Sequence, residues 1–155
     1  MPARALIEKD MHDEAEVSEP DCEPAPFDTR SDATNGGRAI ARSRITMMPE
    51  TARRVAANEM QKGDVLGVAR FAGVQAAKET TSLLPLCDPA LVRTVSIDFT
   101  VDADFIEVLT CVETLNDVDP RMPAMVAATA ATLTIYDMCK SADRTMTIET
   151  ASLSD

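Results

Sequence analysis

The chain has 155 residues, 45% of them hydrophobic, and a net charge of −11. That suffices for one domain with a real core. The acidic balance excludes broad electrostatic binding to nucleic acid or acidic membranes, and an anionic small molecule would need a local cluster of cations. The longest uncharged stretch, Met122 to Tyr136, falls short of the roughly 18 residues of a membrane span.

The N-terminus reads "MPARALIEKDMHDE", with charges where a signal peptide needs its apolar centre, so a cytoplasmic protein is expected. Residues 1–32 hold ten Asp/Glu against three Lys/Arg, a balance of −7. Residues 1–37 hold four of the nine prolines and end in "SDATNGG". They read as a disordered acidic arm, a solubilising tail or a docking segment, with one domain over 38–155. The only histidine, His12, lies in that arm. Cys22, Cys87, Cys111 and Cys139 have no CxxC spacing. No zinc site, bound cofactor or Cys-His machine is expected from such a set, and there is no GxGxxG or GxxxxGK[ST].

From Arg38, "RAIARSRITM" alternates as a strand would, with Arg38, Arg42 and Arg44 on one face. That face is either a solvated edge or a cationic surface near an anion. In "PETARRVAANEM", Pro49 suits a first helical position, and Ala52, Val55, Ala56 and Met60 form a stripe. Asp64 can cap a helix from Val65 to about Ser82, with Val65, Val68, Ala72 and Ala76 along one side. Pro85 and Pro89 force a rigid loop in "LLPLCDPALV", a segment expected to be partly buried although it carries Asp88. Val95, Ile97, Phe99 and Val101 alternate with polar residues in a half-buried strand. "DAD" makes a turn into a second strand from Phe105 to about Leu115. Pro123 can open a helix to about Ser141 that is apolar nearly all round, and so buried on several sides, including at a subunit interface. "TMTIETASL" reads as a last strand. Long helices mixed with antiparallel strands argue for an α+β fold with the helices on one face of the sheet.

Polar residues interrupt this pattern at a few places. Asp137 and Lys140, three apart, share a face at the end of the apolar helix. They make either an ordinary salt bridge or a proton-transfer pair, in which a buried lysine of lowered pKa is oriented by the aspartate. Lys62 in "QKGDV" is either a solvated loop lysine or a phosphate partner beside a helix start.

"KGDVLGVARFAGVQAAKETTSLLPLCDP" together with "ATLTIYDMCK" closely resembles the cyclic pyranopterin monophosphate synthase (MoaC) family of molybdenum cofactor biosynthesis, over about Arg38 to Ile148. The resemblance implies a ferredoxin-like α+β subunit, assembled as dimers into a homohexamer with the active site at a subunit interface. It implies conversion of a small-molecule cyclic GTP derivative, 3′,8-cyclo-7,8-dihydro-GTP, to cyclic pyranopterin monophosphate with release of pyrophosphate. It implies Asp137, Lys140 and Lys62 as catalytic residues. It implies Leu86, Cys87 and Asp88, with Arg121, Met122 and Pro123, as the substrate-binding positions. Here the sequence departs from the family pattern, which has histidine at Asp88 and glutamates at Arg121 and Pro123. The family's strand arginine falls one position from Arg38. Its Lys- and Gly-rich tail lies beyond Asp155, so that tail's lysine is expected to be lacking. An anion replacing histidine beside a triphosphate costs roughly 4 kcal/mol at about 4 Å and an effective dielectric of 20, unless a partner such as Arg121 offsets it. Two readings therefore stand: an active synthase, and a catalytically degenerate paralogue serving as a binding or assembly subunit. Mixed assembly with an intact paralogue is also open.

Overall fold

The structure, a computed structural model, describes residues 36–115 and 117–154. The acidic arm falls almost wholly outside the described residues. Four strands, β1 (Arg38–Thr46), β2 (Val92–Val101), β3 (Phe105–Thr114) and β4 (Thr147–Ser154), form one antiparallel sheet in the order β2-β3-β1-β4. The helices are α1 (Pro49–Ala56), α2 (Val65–Lys78), α3 (Thr80–Leu83) and α4 (Arg121–Cys139). With the helices on one face, this is the expected α+β, ferredoxin-like arrangement.

Strand alternation sorts the sheet's two faces. Ala39, Ala41, Ser43 and Ile45 of β1 and Ile106, Val108, Thr110 and Val112 of β3 are buried under the helices. A fully buried Ile or Val contributes about 1.5–3 kcal/mol, so Ile45, Ile106, Val108 and Ile135 dominate the core. Alanines at 124, 127, 128 and 131 let α4 lie close to the sheet and to α2. At Gly73 the two helices come so close that a Cβ would stand 2.9 Å from the Ala127 carbonyl oxygen. The polar residues in this layer are bonded, as burial requires. The Thr132 hydroxyl donates to Ser43 Oγ at 2.8 Å, and the Thr110 hydroxyl to the Ala124 carbonyl at 2.9 Å.

The elements fall where the sequence pattern puts them, but several faces differ. The buried side of α2 is Val65, Ala69, Gly73 and Ala77, spaced four apart, while Val68 is 45% exposed. α2 wraps a sheet and a second helix at once, so its smallest residues face inward. It also ends at Lys78, and a separate short turn, α3, carries the chain to Leu83. Ala56 is exposed, and Thr51 takes its place in the buried stripe of α1. α4 starts at Arg121 rather than Pro123 and ends at Cys139. Pro123 is tolerated because the first helical turn has no N–H partner to lose. Arg38, Arg42 and Arg44 lie on the uncovered face of β1, which is a central strand and not an edge. Each is engaged. Arg38 Nε lies 3.3 Å from Cys111 Sγ, and Arg42 Nε donates to Ser154 Oγ at 3.0 Å. Arg44 stacks 4.2 Å over the Phe105 ring and pairs with Glu107 at 3.6 Å.

Candidate active site

Lys62, Asp137 and Lys140 meet at the C-terminal end of α4. Two local features set Lys62. Gly63 adopts φ +92°, a conformation that favours glycine, which turns the chain directly after it. Asp64 then caps α2 by accepting from Gly67 N at 2.9 Å. Held there, the Lys62 ammonium donates to the Asp137 carbonyl at 3.0 Å. Lys140, one turn on, donates to Asp137 Oδ1 at 2.6 Å.

The Asp137–Lys140 pair is exposed in the protomer, with side chains 62% and 55% accessible. The hydrogen bond from Lys140, its charge and that of Lys62 hold the Asp137 carboxyl below the usual carboxylate range. The same bond and the Asp137 charge raise the Lys140 pKa. Of the two readings of this pair, the protomer shows the exposed salt bridge and not a buried lysine of lowered pKa. The carboxylate beside this ammonium favours its charged form and outweighs the opposing effect of desolvation. Cys139, between the two, is fully buried, and burial pushes its thiol up to about 11.

The other sequence-predicted residues lie at the opposite end of the molecule. Val92 pairs with Thr114, and Leu115 N donates to the Leu91 carbonyl at 2.8 Å, so the 84–91 loop sits at the end of the sheet from which the chain enters α4. Leu86 is completely exposed, with Leu83 and Leu91 each 61% exposed. The segment expected to be partly buried is thus an apolar projection, because two prolines hold it off the sheet. Cys87 is half-buried, and Asp88 is exposed. Arg121 does not offset Asp88. Its guanidinium forks onto Asp119, with Nε at 2.7 and 2.9 Å from the two carboxylate oxygens. Met122 is 39% exposed, while Pro123 is fully buried.

Sixteen residues of α4 separate Arg121 from Asp137, about 24 Å at 1.5 Å per residue. Within one protomer the two groups of sequence-predicted residues therefore lie at opposite ends of a helix.

Sequence reading missed Asp143 and Arg54. Asp143, buried beyond the end of α4, accepts from Met48 N at 2.7 Å and from Thr145 N at 2.8 Å. It thereby ties the segment carrying Lys140 to the start of α1. The Asp-x-Thr turn is legible in "DRT"; the contact with Met48, 95 residues away, is not. Arg54 borders a cavity of about 230 Å³ together with Met60, Gln61, Lys62, Met138, Ser141 and Ala142. Among the described residues, no group of three or more His, Cys, Asp or Glu could hold a metal ion.

A ferredoxin-like α+β subunit with an exposed Lys–Asp–Lys cluster at a helix end presents positive charge suited to an anionic small molecule. More narrowly, the chain belongs to the MoaC family, whose sequence profile matches residues 27–155. It is 44% identical over 112 residues to the cyclic pyranopterin monophosphate synthase of Roseiflexus castenholzii, covering 71% of each chain. It is 43% identical over 114 residues to the same-named protein of Natranaerobius thermophilus, covering 72% of each. It is 41% identical over 116 residues to a molybdenum cofactor biosynthesis bifunctional protein of Chlorobaculum tepidum, covering 75% of this chain and 37% of that one.

Proposed function

We propose that the chain acts in molybdenum cofactor biosynthesis as a cyclic pyranopterin monophosphate synthase, converting 3′,8-cyclo-7,8-dihydro-GTP with loss of pyrophosphate. The observation that carries this is the Lys62–Asp137–Lys140 cluster, held by two hydrogen bonds at 3.0 and 2.6 Å in a chain of this family. With the lysine pKa raised and the aspartate pKa lowered, Lys140 is an ammonium and Asp137 a carboxylate at neutral pH. Lys140 then serves as proton donor and counter-charge to phosphate, and Asp137 orients it. Lys62, anchored on the helix carbonyl, supplies the second positive charge.

The substrate-binding role falls to Leu86, Cys87 and Asp88 with Arg121 and Met122 of a second copy. The distance of about 24 Å along α4 keeps these from the charged cluster of their own chain. We therefore propose a homo-oligomer, a hexamer built from dimers, working in the cytoplasm. Its contacts would cover α4's Leu133, 56% exposed, and the apolar 83–91 loop. Sedimentation should give several subunits; a clean monomer at micromolar concentration would sink this assembly.

Two observations favour a second reading. The Asp119–Arg121 fork occupies the guanidinium, and Asp88 brings an anion to the substrate loop. In that reading the chain is a degenerate paralogue, a binding or assembly subunit that works with an intact copy. Site variants separate the two. Lys62→Ala, Lys140→Ala and Asp137→Asn should each abolish product formation with an unchanged circular dichroism spectrum. Product formation that survives all three would overturn the assignment of the cluster.

A further inference from the structure

The cavity beside Lys62 is distinct in its lining from the Asp137–Lys140 pair. It lies between the end of α1, the turn before α2 and the turn that follows α4. Arg54 and Lys62 supply two positive charges, Gln61 an amide and Ser141 a hydroxyl, over an apolar floor of Met60 and Met138. Both methionines are only 7% exposed. No carboxylate lines it.

A helix C-terminus would ordinarily repel an anion, because its last carbonyls carry partial negative charge. Here three of the last four carbonyls accept hydrogen bonds. The Tyr136 carbonyl accepts from Lys140 N, the Asp137 carbonyl from Lys62 Nζ, and the Cys139 carbonyl from both Ala142 N and Asp143 N. The nearest acidic side chain on α4, Asp137, is occupied by Lys140. The neighbouring Glu59 carboxylate goes to Arg53 at 3.1 Å, leaving Arg54 only a 3.4 Å contact to the Glu59 carbonyl. At about 230 Å³ the space is below the range of roughly 300–1,000 Å³ that small-molecule ligands occupy. It suits a group of phosphate or pyrophosphate size. In a chain of charge −11, two cations around one small polar cavity, whose nearest carboxylates Glu50 and Asp137 are each bonded directly to another cation, form the local cluster that an anion requires.

We propose that this cavity is a binding site for a small phosphoryl anion, with Arg54 as its principal ligand and Lys62 shared with the catalytic cluster. The fork of a guanidinium fits two phosphate oxygens at once, which an ammonium cannot do. Both cations are near enough to act on the buried Cys139 thiol, where they work against the effect of burial. The inference deepens the proposed function, and rests on it only for the source of the anion: the pyrophosphate that leaves in that reaction.

Titration calorimetry with sodium pyrophosphate on the full chain tests it without any turnover. Wild-type protein should show saturable binding with one site per chain. Arg54→Gln should weaken it about tenfold, as loss of a charge-assisted contact does. Arg53→Gln makes the same charge change one residue away, at a side chain occupied by Glu50 and Glu59, and should alter binding less than about twofold. Equal weakening by the two variants, no effect of Arg54→Gln, or no saturable heat up to about 10 mM would each overturn the proposal. Pyrophosphate binding without synthase activity would refute the proposed function and leave this site standing.

Discussion

Replacing Asp143 by alanine should be among the most damaging single changes in the chain. Asp143 is 1% exposed. It accepts from Met48 N at 2.7 Å, Thr145 N at 2.8 Å and the Thr145 hydroxyl at 2.7 Å. Alanine leaves two backbone N–H groups without their acceptor. These bonds are part-buried, so each donor costs toward the lower end of the roughly 1–3 kcal/mol of a buried unsatisfied group, whereas the hydroxyl can turn to another partner. The expected loss is about 3 kcal/mol, a large part of the roughly 5–15 kcal/mol that holds a domain together. Burial by itself would raise this carboxyl's pKa, but the bonds from Met48, Thr145 and Thr51 outweigh it, and the pKa is lowered. A lowered folded pKa adds stability at pH values above the unfolded value of about 3.9, and that stability is lost as pH falls through the folded value. The gap between wild type and Asp143→Ala should therefore be constant above about pH 5 and shrink below about pH 4. Urea unfolding at one fixed protein concentration, repeated from pH 7 to pH 3, measures both features. A loss below about 1 kcal/mol, or a gap that does not narrow in acid, would refute the reasoning.

Gly73→Ala should destabilise the fold by about 1 kcal/mol in the same assay. The added Cβ meets Ile97 and stands 2.9 Å from the Ala127 carbonyl, and about 1–3 kcal/mol of overpacking exceeds the helix-propensity gain of about 1 kcal/mol. Removing residues 1–32 should leave the melting temperature unchanged; a large fall would contradict a passive acidic arm. If the substrate loop limits turnover, Asp88→His, Arg121→Glu and Pro123→Glu together should raise the rate more than any single change, because groups acting as a unit are non-additive. Pro123→Glu alone should cost stability, since Pro123 is fully buried.

The fold was largely legible because its signals are local. Alternation in "TVSIDFTV" and the Asp64 cap set β2 and the start of α2 at the expected places. What a helix packs against is not local. α2 turns Gly73 inward and Val68 outward because α4 passes within contact of Gly73, which no window along α2 can reveal. The site divides the same way. The DMCK and KGDV blocks fixed Lys62, Asp137 and Lys140, and the structure joins them. The exposure of Lys140 could not be read from its apolar neighbours, since the last turn of α4 buries Met138 and Cys139 on one side and turns Asp137 and Lys140 to solvent on the other. Arg121's choice of Asp119 over Asp88 was open in principle, because the two are i and i+2 across a helix start. Asp143 and Arg54 carry no motif and gain meaning only from residues far along the chain.

The most direct test of the central claim is product formation by the purified chain, free of any paralogue, from 3′,8-cyclo-7,8-dihydro-GTP. The account predicts cyclic pyranopterin monophosphate and pyrophosphate in equal amounts over many turnovers. Saturable binding of that substrate with no product would contradict it and leave the chain a binding or assembly subunit.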